Sequence, residues 1–116
     1  MTLEECYNKI GANYRDLVQR LGSQDFAELF AKKFIEDDSF ANLESALNEK
    51  NAEKAFRAVH TLKGVAQNLS LENLYRVSFT LTESLRDGAI TSDCAPQYEA
   101  VKQEYERTIA VLKELA

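Results

Sequence analysis

Apolar residues return every three or four positions along almost the whole of this chain, and no segment alternates in twos. That period is the spacing of a helix face, and it leaves little room for strands. Only one proline and four glycines interrupt it, so the turns are short and no linker is evident. The chain must therefore bury a series of amphipathic helices against one another.

The punctuation divides the helices. Thr2 and Glu5 have capping-box spacing and open an N-terminal helical segment over residues 3–21, with Leu3, Ile10, Leu17 and Leu21 recurring along it. Gly11 is a candidate interruption. Gly22 closes the segment and Ser23 caps the next, a bent helix over residues 23–49. Phe26, Leu29, Phe30 and Phe34 form one stripe of it, and Asp37-Asp38-Ser39 offers a fresh cap before Phe40, Leu43 and Leu47. A helix over 52–69 follows, then one over 71–87 for which Ser70 is the expected cap, with Leu71, Leu74, Leu81 and Leu85 as its stripe. Asp87-Gly88 ends it. The last helix, 94–115, has Pro96 in its first turn, where proline is tolerated, and repeats Tyr98, Val101, Tyr105, Thr108, Leu112 and Leu115 at threes and fours. The expected fold is all-α: an antiparallel four-helix bundle with an additional N-terminal helix, residues 1–116 forming a single domain.

Composition excludes several classes of function. With 45% hydrophobic and 28% charged residues the chain has the balance of a soluble globular protein. No apolar run approaches a membrane span, and Met1-Thr2-Leu3-Glu4-Glu5 lacks the features of a signal peptide, so a cytoplasmic protein is expected. Cys6 and Cys94 have no metal-ligand spacing and read as free thiols. A net charge of −5 opposes binding to phosphate backbones, and no nucleic-acid partner is expected.

The single histidine, His60, lies in the 52–69 helix. Ala55, Ala58, Val59, Leu62, Ala66 and Leu69 mark that helix's apolar side, and at 100° per residue His60 falls well off it. Its neighbours one turn away are Phe56, Arg57, Lys63 and Gly64, with Gln67 a further turn along. A mid-helix glycine costs about 1 kcal/mol relative to alanine, so Gly64 is not there for the helix; it leaves space beside the imidazole. Imidazoles titrate near roughly pH 6.5, which leaves a ring nitrogen free to attack at neutral pH. Lys63, and Arg57 on the other side, can balance the charge of a phosphoryl group, whose transfer is governed by positioning and electrostatics. The chain has no Gly-rich nucleotide loop, no Gly-Lys-Ser/Thr run and no acidic cluster arranged for Mg²⁺. It reads as a phosphotransfer intermediate rather than a kinase.

The string Ala58-Val59-His60-Thr61-Leu62-Lys63-Gly64 closely resembles the signature of histidine-containing phosphotransfer domains, the shuttles of two-component phosphorelays. The resemblance implies that His60 is the phosphoacceptor, that Lys63 balances phosphoryl charge and that Gly64 gives access. It implies receiver domains and a hybrid sensor kinase as partners, a monomeric chain with no cofactor of its own, and Mg²⁺ held by the receiver. Asn68-Leu69 continues the pattern, whereas Ser70 stands where many members have glycine and Val59 where alanine is frequent. The facing position that often carries glutamine or glutamate falls near Thr82, with Glu83 beside it; Thr82 is short, so the group that orients the imidazole is left open. Phe56 and Phe79 are candidates for the receiver-docking surface, with Arg57, Gln67, Arg76 and Arg86 at its rim and Thr82 nearby.

Two other readings compete. A bundle that sequesters a receiver without being phosphorylated has no need of the His60–Lys63 pair. A metal- or cofactor-binding bundle needs several inward ligands, and one histidine on an outer flank does not supply them.

Overall fold

The computed structural model describes residues 1–115; Ala116, the last residue of the expected domain, lies outside them. Among the described residues seven helices follow one another: α1 (Leu3–Lys9), α2 (Tyr14–Leu21), α3 (Gln24–Phe34), α4 (Ser39–Asn48), α5 (Ala52–Asn68), α6 (Glu72–Leu85) and α7 (Cys94–Leu112). No strand occurs among the described residues.

Local chemistry sets the boundaries. The Thr2–Glu5 capping box forms at the head of α1 with both of its bonds, Glu5 N donating to Thr2 Oγ1 at 3.2 Å and Thr2 N to Glu5 Oε1 at 2.8 Å. The N-terminal segment is not one helix: Gly11, at φ 68, breaks it, and Asn13 caps α2 by accepting from Asp16 N. Gly22, at φ 86, closes α2, and Ser23 Oγ accepts from Phe26 N to start α3. The bend expected within 23–49 is a full break between α3 and α4, where Asp37 Oδ1 accepts from Ser39 N. The last helix stops at Leu112 rather than Leu115.

Ser70 does not cap α6. That helix has Leu71 at its N-cap and no side-chain cap bond. Ser70 instead adopts a left-handed conformation at φ 55, and its hydroxyl donates to Asp16 Oδ2 at 2.6 Å, tying α2 to the end of α5. Asn13 N to Ser70 O, and the buried Tyr7 hydroxyl to Leu69 O at 2.6 Å, add two more ties at the same place.

Cross-helix contacts give the directions. From α5 to α6, Phe56 meets Arg86 and Lys63 meets Phe79, so the two run antiparallel. Phe34 packs edge-on against Tyr105, Phe40 stacks on both Tyr105 and Tyr98, and the Tyr98 hydroxyl donates to Glu44, so the α3–α4 arm runs antiparallel to α7. The four-helix bundle is thus α4–α7, with α3 continuing α4 at one end. Additional short helices α1 and α2 close that end, and α1 lies along α7 through Cys6 Sγ to Val111 O and Arg107 to Lys9 O. The core holds Leu17, Phe34, Leu43, Val59, Leu62, Leu74, Leu81, Leu85, Val101 and Leu112, all essentially without solvent contact. Burial of a leucine of this kind contributes roughly 2 kcal/mol. Cys6 and Cys94 are buried free thiols.

The stripe Phe26–Leu29–Phe30 departs from the amphipathic expectation. It faces outward, with Phe26 at 55% exposure, while α3 buries Ala27, Ala31 and Phe34. No described helix is long and apolar enough to cross a membrane.

Candidate functional site

α5 starts at its Asn51 cap, with Oδ1 accepting from Lys54 N, and runs to Asn68 with no proline within it. Its buried side is Ala55, Ala58, Val59, Leu62 and Ala66. His60 stands on the exposed side, one turn after half-buried Phe56 and one turn before Lys63. The Phe56 and His60 rings are parallel within 8°, with centroids 5.7 Å apart, an offset stack.

α6 supplies the other wall. Lys63 Nζ lies 5.5 Å from the centroid of Phe79, which is 42% exposed and leans against Tyr75. The Arg86 guanidinium lies 5.3 Å from the centroid of Phe56 and is itself paired to Glu83 at 2.6 Å. Two cations and three aromatic rings therefore line the α5–α6 seam on which the imidazole stands, Phe56 directly against it, a surface suited to a bulky, negatively charged ligand group.

Gly64 borders His60 on its outer side. A Cβ built there meets nothing within 4 Å, so no neighbour within the chain requires the glycine. Close helix packing is excluded as its cause.

The remaining candidates divide. Gln67 is exposed on the same line of α5 as His60. Arg57 is exposed but turned toward α4, paired to Glu53 at 3.6 Å along a polar groove shared with Asp38 and Asn42. Arg76 lines a groove against α7 with Pro96 and Gln97, so it is not on the His60 seam. Thr82 requires a correction as a docking residue: it has 0% exposure, and its hydroxyl donates to Ser78 O at 2.7 Å within its own helix. It cannot touch a partner, and it makes no hydrogen bond to the imidazole. Glu83, its neighbour, is engaged by Arg86.

One surface was missed by pattern alone. Where α2 and α3 meet α5, Phe30, Phe34, Leu21, Val65 and Leu69 line an open groove of about 510 Å³, with Arg20, Lys33 and Asp37 also in its lining. Lys33 Nζ lies over the Phe30 ring at 5.3 Å, and Phe26 lies 6.4 Å from Phe30. The signal was present as an apolar stripe on a helix whose opposite side carries alanines small enough to pack.

A family model, that of the Hpt domain, matches residues 35–111, about two thirds of the chain. The chain belongs to this family. The match runs from the α3–α4 break through nearly all of α7 and so takes in the bundle and the whole His60 seam, while α1, α2 and α3 lie outside it. No curated protein and no solved structure matches the chain. An Hpt domain is a helical bundle associated with histidine phosphotransfer in phosphorelays, in keeping with the fold described above.

No group of three or more His, Cys, Asp or Glu side chains suited to a metal occurs among the described residues. Of the two cations at the seam, Arg86 is paired to Glu83, while Lys63 forms no ion pair among the described residues and is placed to attract phosphate oxygens.

Proposed function

We propose that this Hpt domain accepts a phosphoryl group on His60 from the aspartyl phosphate of a receiver domain and passes it to the aspartate of another receiver. The observation that carries the reading is the setting of His60: exposed, beside a cationic lysine one turn on, with open space at Gly64. An unprotonated ring nitrogen attacks phosphorus as the bond from phosphorus to the aspartate oxygen breaks. The aspartate leaves as carboxylate and the phosphoryl group remains on nitrogen. The reverse step returns the group to a second carboxylate by the same path.

Each residue has a role in that exchange. Lys63 releases the Phe79 face and donates to the phosphoryl oxygens, lowering the energy of a transition state whose charge lies on them. Gly64 lets the receiver's active-site loops close on the imidazole. Phe79 and Gln67 on the seam, and Phe26 and Phe30 on α3, form the docking surface, apolar at its centre with Arg and Lys at its rim. Mg²⁺ belongs to the receiver in this reading, and the described residues of this chain offer no group of three or more side chains suited to hold it. The protein acts as a cytoplasmic monomer downstream of a hybrid sensor kinase.

The test is transfer in vitro. Wild type and His60→Gln are each mixed with a receiver carrying radiolabelled aspartyl phosphate and Mg²⁺. Wild type should gain acid-labile, base-stable label while His60→Gln gains none; label on His60→Gln would refute the reading.

A further inference from the structure

A phosphoacceptor imidazole must hold one nitrogen along the line of attack, and a loosely held ring loses rate because few of its conformers are reactive. A hydrogen bond to the second ring nitrogen is one way to fix it. Among the described residues the facing helix makes no such bond: Thr82 is buried and its hydroxyl donates to Ser78 O at 2.7 Å. Glu83, beside it, pairs with Arg86 at 2.6 Å rather than with the imidazole. What the imidazole does meet is the Phe56 ring, parallel within 8° at 5.7 Å. Phe56 in turn lies under the Arg86 guanidinium at 5.3 Å, which reaches across from α6. A continuous set of contacts thus runs Glu83–Arg86–Phe56–His60, from one helix to the reacting ring of the other.

We propose that Phe56, backed by Arg86, is a positioning residue that orients the His60 imidazole by stacking, where a side-chain hydrogen bond would otherwise do so. The proposal rests on the reading of His60 as phosphoacceptor. Helix geometry supplies the one-turn spacing that brings the two rings together, and an aromatic face restrains the plane of its neighbour without occupying either nitrogen. Arg86 restrains Phe56 in the same manner from the far side of the seam, and Glu83 fixes Arg86 against swinging into solvent. In this arrangement His60 is exposed and neither ring nitrogen is hydrogen-bonded among the described residues.

The test uses the full chain with Phe56→Leu, Phe56→Tyr and Arg86→Met. Three-bond couplings of the His60 side chain, and NOEs from its ring protons to Phe56, report the stack without any phosphotransfer. Wild type and Phe56→Tyr should show one rotamer and the ring contacts, whereas Phe56→Leu should show averaged couplings. Single-turnover transfer from a phosphorylated receiver should give a saturating rate about fivefold lower for Phe56→Leu, the size expected of one aromatic pair. Its half-saturating receiver concentration should be unchanged, and Phe56→Tyr should restore the rate. Arg86→Met should move couplings and rate in the same direction by less. A folded Phe56→Leu protein with wild-type couplings and rate would overturn the proposal, as would a change confined to half-saturation, which marks a docking residue. Wild-type couplings in Arg86→Met would remove Arg86 from it. If wild type takes no phosphoryl group at all, the functional reading fails on its own, and the couplings still decide whether the stack orients the ring.

Discussion

Lys63 Nζ sits 5.5 Å from the centroid of the Phe79 ring, so the one lysine a turn away from His60 is already held on the seam in the unphosphorylated protein. An exposed cation–π contact is worth about 0.5–1 kcal/mol, and a hydrogen bond to a charged group about 1.5–3 kcal/mol. The ammonium therefore leaves the ring for a phosphoryl oxygen at a net gain. Lys63→Met should slow phosphotransfer roughly 10- to 150-fold, the rate equivalent of the lost charged bond. Stopped reactions with a phosphorylated receiver measure this, and a rate within twofold of wild type would exclude Lys63 from the transfer.

Gly64→Ala should move stability and activity in opposite directions. The added methyl meets no atom within 4 Å, so only helix propensity changes, by up to about 1 kcal/mol in favour of folding. Thermal unfolding should rise by about 3–6 °C. The same methyl narrows the approach to His60, so transfer from a receiver should fall. A variant that is both more stable and equally fast would show that the glycine does not serve access.

Phe26→Ser with Phe30→Ser tests the α3 surface. Phe26 is 55% and Phe30 40% exposed, so chemical denaturation should register a loss of less than about 1 kcal/mol per site. The half-saturating receiver concentration should rise about tenfold, as for an interface residue worth more than 1 kcal/mol. Unchanged half-saturation would confine docking to the α5–α6 seam.

The sequence pattern reads differently in different parts of the molecule. The caps at Thr2, Ser23 and Gly22 are legible because each is a local exchange of hydrogen bonds between near neighbours. His60 is legible too, since its place off the apolar side of α5 follows from counting residues at 100° each. The Phe26–Leu29–Phe30 stripe is not, because an apolar period shows which residues share a side and not whether a core or a partner covers that side. The decision rests on Ala27, Ala31 and Phe34, which fill the space against the rest of the bundle. Ser70 fails as a cap for a similar reason: its bond goes to Asp16, far away in sequence. The stack of His60 on Phe56 needs ring orientations, which spacing alone does not give.

The Ser70–Asp16 tie makes an acid-dependent prediction. The Ser70 hydroxyl, and after it the Arg20 guanidinium, hold the Asp16 carboxyl below the usual carboxylate range. A carboxyl whose folded-state value is depressed adds stability above its unfolded value, near pH 3.9, and loses that contribution as pH falls through the folded value. Asp16→Asn should therefore melt below wild type at pH 7, with the gap closing below about pH 4. Melting curves across that range decide it, and a gap independent of pH would mean that the carboxylate charge contributes nothing to the tie.

The most direct measurement of the central claim is the location of the phosphoryl group. The protein is phosphorylated by a receiver in the presence of Mg²⁺, quenched in alkali and digested, and the modified peptide is sequenced by mass spectrometry. The account predicts one phosphoryl group, on the peptide containing His60 and on that imidazole, and none on the corresponding peptide of His60→Gln. A phosphoryl group on any other residue, or its persistence in His60→Gln, would contradict it.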